Sequence, residues 1–196
     1  MTDAPTRAEP SDEQLVTAAQ GGDRRALDDL LRRHYDRVYA ICRRMTGNDA
    51  DALDATQDAL IAITRGLGRY DGRARFTTWS YRVATNACLD ELRRRKRRPV
   101  PQEDTVFEAV PSSAPRLDQA VADRLTIDEA LAQLPGDFRA AVVLRDVIGL
   151  DYADISEVLS IPPGTVRSRI ARGRRTLADR IGRNQEPPGS VEVSAP

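Results

Sequence analysis

Residues Tyr152 to Leu177 read YADISEVLSIPPGTVRSRIARGRRTL, and this stretch decides the fold. Tyr152 to Leu159 has the composition of a short helix, Ser160 to Gly164 carries Pro162, Pro163 and Gly164 as turn residues, and Thr165 to Leu177 reads as a second helix. Helix, short turn and helix in that order form a helix-turn-helix pattern. In the second helix Val166, Ile170, Gly173 and Leu177 recur at spacings of four, three and four. A rotation of about 100° per residue gathers them on one inner face. Arg167, Ser168, Ala171, Arg172 and Arg175 are then left outward, with Thr165 at the helix start. A guanidinium can donate two hydrogen bonds to guanine O6 and N7, and a small side chain such as that of Ala171 can touch a thymine methyl. The face therefore suits a DNA major groove; the plain alternative is a solvated basic helix in a structural bundle.

Upstream, Leu125 to Leu134 and Phe138 to Ile148 read as two more helices separated by Pro135-Gly136. They complete a C-terminal lobe over residues 117–183. Residues 99–116 carry Pro99, Pro101, Pro111 and Pro115 and read as a flexible linker, and residues 1–10 and 184–196 read as tails. The remaining 11–98 form an N-terminal lobe. Neither lobe has alternating β-branched runs of strand length, so the expected fold is all-α, two small helical domains joined by a Pro-rich linker.

The N-terminal lobe opens with Ser11 as N-cap, then Leu15, Val16 and Ala19, and continues through Leu27, Leu30, Leu31, Tyr35, Val38, Tyr39 and Cys42 to a stop at Gly47-Asn48. The next helix, Asp49 to Leu67, sets Leu53, Leu60, Ile63 and Leu67 on one face and Asp51, Asp54 and Asp58 on the other. Three clustered carboxylates repel one another without a basic partner, so this face is either a docking surface or simply a solvated acidic one. A further helix starts near Phe76 and runs into six cations, Arg93 to Arg98, with Tyr81, Ala84, Cys88 and Leu92 as its apolar stripe. Trp79, Val83, Asn86 and Asp90 fall on the opposite side. Trp79 and Asn86 can serve as a stacking platform and a base-edge reader for an unpaired strand, unless a neighbouring helix covers the indole. Before this helix, Gly66, Gly68, Gly72, Arg73 and Arg75 mark a segment suited either to holding an extruded nucleotide or to a plain surface connection.

The chain of 196 residues is 40% hydrophobic and 31% charged, with a formal net charge of zero. Charge distribution is what informs, because the cations concentrate in Arg93 to Arg98 and in five arginines between Arg167 and Arg175 with no acid among them. Both groups are candidate phosphate contacts. No apolar run is long enough for a bilayer and the N-terminus lacks a leader pattern, so a cytoplasmic protein without membrane insertion is expected. Cys42 and Cys88 form no C-x-x-C pair and His34 is the only histidine, so neither metal nor other cofactor is expected. The two cysteines are either buried reduced thiols or a redox-sensitive pair. Asp51, Asp54 and Asp58 taken as a magnesium site would suggest an enzyme, but three aligned carboxylates with no second cluster facing them are not a site, and no catalysis is expected.

Four segments together resemble the extracytoplasmic-function sigma factors, which direct bacterial RNA polymerase to promoters. They are DADALDATQDALI from Asp49, FTTWSYRVATNACLDELRRRKRR from Phe76, LPGDFRAAVVLRDVIGLDYADISEVL from Leu134 and PPGTVRSRIARGRRTL from Pro162, within a resemblance covering about residues 12–181. It implies that Asp51, Asp54, Gln57 and Asp58 dock on the clamp of the polymerase largest subunit, with the flap as a further polymerase contact. It implies minus-ten contacts from the loop Gly72 to Phe76, including Arg73, Arg75 and Phe76, and from Trp79, Asn86, Arg93, Arg94 and Arg97. Thr165, Arg167, Ser168, Ala171, Arg172 and Arg175 would read the minus-thirty-five element. An anti-sigma protein is the further partner the resemblance implies. Asp58 stands where many relatives carry glutamate, and Ala171 where some carry an aromatic. A stand-alone helix-turn-helix regulator is the other reading, and it would bind DNA without polymerase.

Overall fold

The computed structural model describes residues 9–97 and 127–185. The linker 99–116, the six-cation tract beyond Arg94 as far as its side chains are concerned, and most of both expected tails lie outside the described residues. Every regular element among the described residues is helical.

Helix α1, Asp12–Gln20, starts as the sequence predicts: Ser11 Oγ accepts from Gln14 N, and Gln14 Oε1 accepts from Ser11 N at 2.8 Å. This reciprocal box satisfies two backbone donors that a helix start otherwise leaves open. The stripe expected to continue unbroken is interrupted at Gly21-Gly22, where Gly22 adopts φ 96° and Asp23 caps α2, Arg24–Thr46. Gly47, at φ 92°, ends α2 in the left-handed conformation that glycine enters at least cost. Helix α3 spans Asp49–Leu67 and α4 spans Phe76–Arg97.

Packing of α3 corrects the expected face. Ala52, Ala55, Thr56, Ala59, Ile63 and Leu67 point inward, whereas Leu53 is 53% exposed and Leu60 only half-buried. Small residues win because α2 lies close against α3, leaving room for a methyl where the apolar pattern proposed a leucine. Leu30, Val38, Ile41, Cys42 and Met45 of α2 and Tyr81, Ala84 and Cys88 of α4 complete the first core.

The second lobe begins in the described residues with a helical stretch over 127–132, then α5, Gly136–Val142. The single helix expected to reach Ile148 changes pitch: Val143–Val147 forms a π-turn, closed by Ile148 N to Val143 O at 3.1 Å, and Gly149 follows at φ 83°. Asp151 caps α6, Tyr152–Leu159, by accepting from Asp154 N at 2.8 Å. Ser160 then makes the turn at φ 53°, the one described non-glycine residue at positive φ. Helix α7 runs Pro163–Gln185, starting earlier than the sequence pattern suggests because proline is tolerated where no intrahelical N–H is needed, and continuing past Leu177 into the expected tail.

The lobes expected to be separate bodies rest on each other. Helix α6 packs along α4, and Gly136 lies against Leu89 and Leu92. Arg139, buried in α5, donates to the carbonyls of Met45, Ala132 and Leu134, tying the end of α2 to the second lobe. Asp128 meets Arg44 and, at 3.2 Å, Arg43. Sequence periodicity reports each helix's own inner face and cannot reveal a contact between lobes joined by a long connection.

Candidate nucleic-acid interface

Helix α7 presents the face its spacing implies. Val166 and Ile170 are fully buried, and Gly173 sits so close to α5 that a Cβ there would lie 2.6 Å from Val142 Cγ2. Arg167, Ser168, Ala171, Arg172 and Arg175 are exposed on the other side, with Thr165 half-buried at the start. The five arginines divide by role. Arg169 is paired with Asp137 at 3.0 Å, and Arg174 Nε donates to Asp146 at 3.0 Å, so these two bolt α7 to α5 and the π-turn. Asp146 also holds the Arg174 guanidinium above its already high ordinary pKa. Arg167, Arg172 and Arg175 show no ion pair with an acid among the described residues. Ser168 Oγ donates to Thr165 O at 2.9 Å, which turns the hydroxyl toward its own helix.

The loop between α3 and α4 forms a second concavity. Glu13, Val16, Thr17 and Gln20 of α1 and residues 70–76 enclose about 390 Å³. Gln20 Nε2 donates to Leu67 O and Tyr70 O, both at 2.9 Å, and Tyr70 donates to Ala74 O, so the loop stem is fixed from both sides. Gly72 adopts φ 73°, which sets Arg73 outward, where its Nε lies 3.1 Å from Asp71. Arg75 is exposed as well. The α1 residues carried no sequence signal for this role, because the distance of some fifty positions to the loop conceals their meeting.

Phe76 and Trp79 need correction. Phe76 is 4% exposed and sits among His34, Tyr70 and Trp79 with ring centroids 5.0 to 6.0 Å apart, so it anchors the loop and shows the pocket only the small part of its ring that lines the wall. Trp79 is half-buried against Gly66 of α3 and Tyr70, the covered arrangement that sequence had left open, and it offers an edge at most. Beneath them His34 Nε2 lies 2.9 Å from Asp12 Oδ2, and Arg33 holds the other oxygen at 2.8 Å. Burial pushes the His34 pKa below its ordinary value, against the pull of Asp12. Asn86 is exposed on α4. Arg93 and Arg94 are exposed beside Asp90 at 3.0 Å and Glu91 at 3.2 Å, pairs too exposed to prevent exchange for phosphate. The Arg97 side chain lies outside the described residues.

A third surface lies between α2 and α3. Tyr35, Leu53, Leu60 and Ile61 surround Asp54 and Gln57 in an open groove of about 580 Å³. Sequence reasoning missed Tyr35, Leu53 and Ile61, assigning the first two to core stripes; all three are exposed. The four residues expected to dock lie at three places along α3. Asp54 and Gln57 line the groove, Asp58 is exposed one turn on, and Asp51 is engaged at the helix start, where Asn48 accepts from its N–H at 2.9 Å.

Cys42 of α2 and Cys88 of α4 are free, fully buried thiols of the first core. The neighbouring Cys42 and burial push the Cys88 thiol up from its ordinary range. Among the described residues no group of three or more His, Cys, Asp or Glu side chains is placed to hold a metal, and no helix is long and apolar enough to cross a membrane.

Residues 30–98 match the family described as Sigma-70 region 2, and residues 124–177 match Sigma-70, region 4. The chain belongs to the extracytoplasmic-function group of RNA polymerase sigma factors. It is 42% identical over 184 residues to the ECF RNA polymerase sigma factor SigE of Mycolicibacterium smegmatis, covering 90% of this chain and 71% of that one. It is 39% identical to SigM of Mycobacterium tuberculosis, covering 90% and 87%, and 32% identical to SigW of Bacillus subtilis, covering 85% and 94%. The fold matches CnrH in its complex with the cytosolic domain of CnrY, with TM-score 0.68, 22% identity, and coverage of 88% of this chain and 98% of that one. It also matches RpoE bound to the anti-sigma factor NepR from Bartonella quintana, with TM-score 0.62, 22% identity, and coverage of 81% and 98%.

Proposed function

We propose that this sigma factor gives core RNA polymerase its promoter choice by reading an upstream duplex element with α7 and capturing an extruded base of the minus-ten element in the pocket between α1 and the 70–76 loop. The observation that carries the reading is the division of the α7 arginines, with Arg169 and Arg174 tied inward and Arg167, Arg172 and Arg175 exposed outward without an ion pair among the described residues. A helix bolted in place and carrying exposed guanidinium groups suits bidentate contacts to guanine and phosphate. Arg73, Arg75, Asn86, Arg93 and Arg94 would follow the melted strand, and capture of one base would offset part of an unpairing cost of a few kcal/mol.

Docking to polymerase is assigned to the α2–α3 groove. Asp54 and Gln57 supply charge and hydrogen bonding there, and exposed Leu53 and Ile61 supply apolar area, the mixture a stable interface requires. The chain does no chemistry of its own in this reading and works in the cytoplasm, where the polymerase is. An anti-sigma partner is assigned on the likeness to relatives solved with such partners. The test is a gel shift on a promoter fragment selected from the source genome, with and without core polymerase. A shift requiring both supports the reading, and an equal shift by the chain alone returns the stand-alone regulator.

A further inference from the structure

The pocket that takes the extruded base in the reading above has two walls drawn from different parts of the chain. One is the 70–76 loop, and the other is the face of α1 that carries Glu13, Val16, Thr17 and Gln20. The stretch matched to region 2 begins at residue 30, so α1 precedes it. The separation of the two walls decides which base edge can bridge them, because hydrogen bonds weaken steeply outside a narrow range of distance and angle.

The loop keeps its own shape. Tyr70 donates to Ala74 O across it, Arg73 N donates to Asp71 Oδ1 at 3.2 Å within it, and the Tyr70 ring packs on Phe76 and Trp79 of α4. None of these bonds sets its distance from α1. That tie is made by Gln20, whose Nε2 donates to Leu67 O and to Tyr70 O, both at 2.9 Å. A side-chain amide has two N–H donors, and here each has a carbonyl of the loop stem. The Thr17 hydroxyl is spent within α1, on Glu13 O at 2.8 Å, and Val16 is buried. Helix α1 is itself pinned at its other end, where Asp12 meets Arg33 at 2.8 Å and His34 at 2.9 Å on α2. Gln20 therefore ties a loop of fixed shape to a fixed post.

We propose that Gln20 is the positioning residue of the base-capture pocket: its amide sets the separation between α1 and the 70–76 loop and so sharpens the choice among the four bases. The inference rests on the reading of this pocket as the site of base capture.

The test uses the full chain with core polymerase on a forked promoter DNA, duplex upstream and single-stranded through the minus-ten element, with each base placed at each minus-ten position in turn. Anisotropy of a fluorescein label gives the affinity ratio between the best and the worst base at every position. Gln20→Glu keeps the side-chain length, removes both donors and sets a carboxylate against two carbonyls. The ratio at the most discriminating position should fall roughly tenfold, about 1.4 kcal/mol. Gln20→Lys supplies donors again and should keep most of that ratio. Tyr70→Phe loosens the loop by a second route while its ring stays with Phe76 and Trp79, and it should lower the ratio at the same position. Gln20 is exposed, so the thermal midpoint, co-purification with core polymerase and the penalty for scrambling the upstream element should stay as in wild type, which a merely structural role would not leave untouched. A Gln20→Glu protein that weakens on all four bases alike, or a Gln20→Lys protein that loses as much discrimination as Gln20→Glu, overturns the proposal. If wild type itself prefers no base at any minus-ten position, the base-capture reading fails; if wild type discriminates and Gln20→Glu discriminates equally well, the Gln20 assignment alone fails.

Discussion

Gly173→Ala tests how the reading helix is seated, and two opposed effects set its magnitude. Within a helix, alanine is favoured over glycine by about 1 kcal/mol, so in open space the change would stabilise. Here the new Cβ would lie 2.6 Å from Val142 Cγ2 and 3.5 Å from Phe138 O. Valine at a buried position has little rotamer freedom and a backbone carbonyl cannot step aside, so α5 and α7 must move apart. Overpacking of this kind costs about 1–3 kcal/mol, which leaves a net loss near 1 kcal/mol. With a urea slope of about 2 kcal/mol/M, the midpoint should fall by roughly 0.5 M. Gly164→Ala in the same helix meets no heavy atom within 4 Å and should raise the midpoint by roughly 0.5 M. Urea titration followed by circular dichroism at 222 nm reads both. A Gly173→Ala midpoint at or above wild type would refute the close α5–α7 contact, and with it the argument that directs Arg167 and Arg172 outward.

Asp54→Arg should abolish co-purification with core polymerase while circular dichroism remains unchanged, and Leu53→Asp should do the same at a site that costs the fold little because the leucine is exposed. Arg172→Ala should cost about 1–3 kcal/mol on a promoter bearing its preferred upstream element and much less when that element is scrambled; equal losses would reduce it to a phosphate contact. The His34 pKa is held below the ordinary 6.5 by burial, so below that pH the unfolded chain takes up a proton that the folded one resists. Stability should therefore be level above about pH 6.5 and fall as pH drops toward the folded value, and thermal scans at about pH 7.5 and 5.5 should show a smaller loss in His34→Gln. Ser160→Gly relieves a left-handed serine and should stabilise by about 1 kcal/mol in the same urea assay.

What could be read in advance follows the physics of each signal. Helix α7 was legible because a spacing of four, three and four turns Val166, Ile170 and Gly173 inward and leaves Arg167, Arg172 and Arg175 on the exposed side. The Ser11 capping box and the Gly47 stop were legible because each rests on local geometry within four residues. Leu53 misled, since periodicity ranks residues by hydrophobicity while packing of α2 on α3 selects by size, and the alanines took the interior. The burial of Phe76 was not legible for a related reason: an aromatic beside a glycine-containing loop suits a surface contact as well as an anchor, and its packing depends on the rings of His34, Tyr70 and Trp79. The contacts of Gln20 with Tyr70 and of Arg139 with Met45 join residues far apart in sequence, and no local pattern announces them.

The central claim is promoter selection through two DNA-reading faces brought to polymerase by one chain. It is tested most directly by sequencing the 5′ ends of transcripts made from genomic DNA by the cognate core enzyme with and without this protein. New start sites are expected, each preceded by the same pair of short elements at a fixed separation, and they should be lost with Asp54→Arg. Start sites that do not change on adding the protein, or new ones sharing no upstream element, would contradict it.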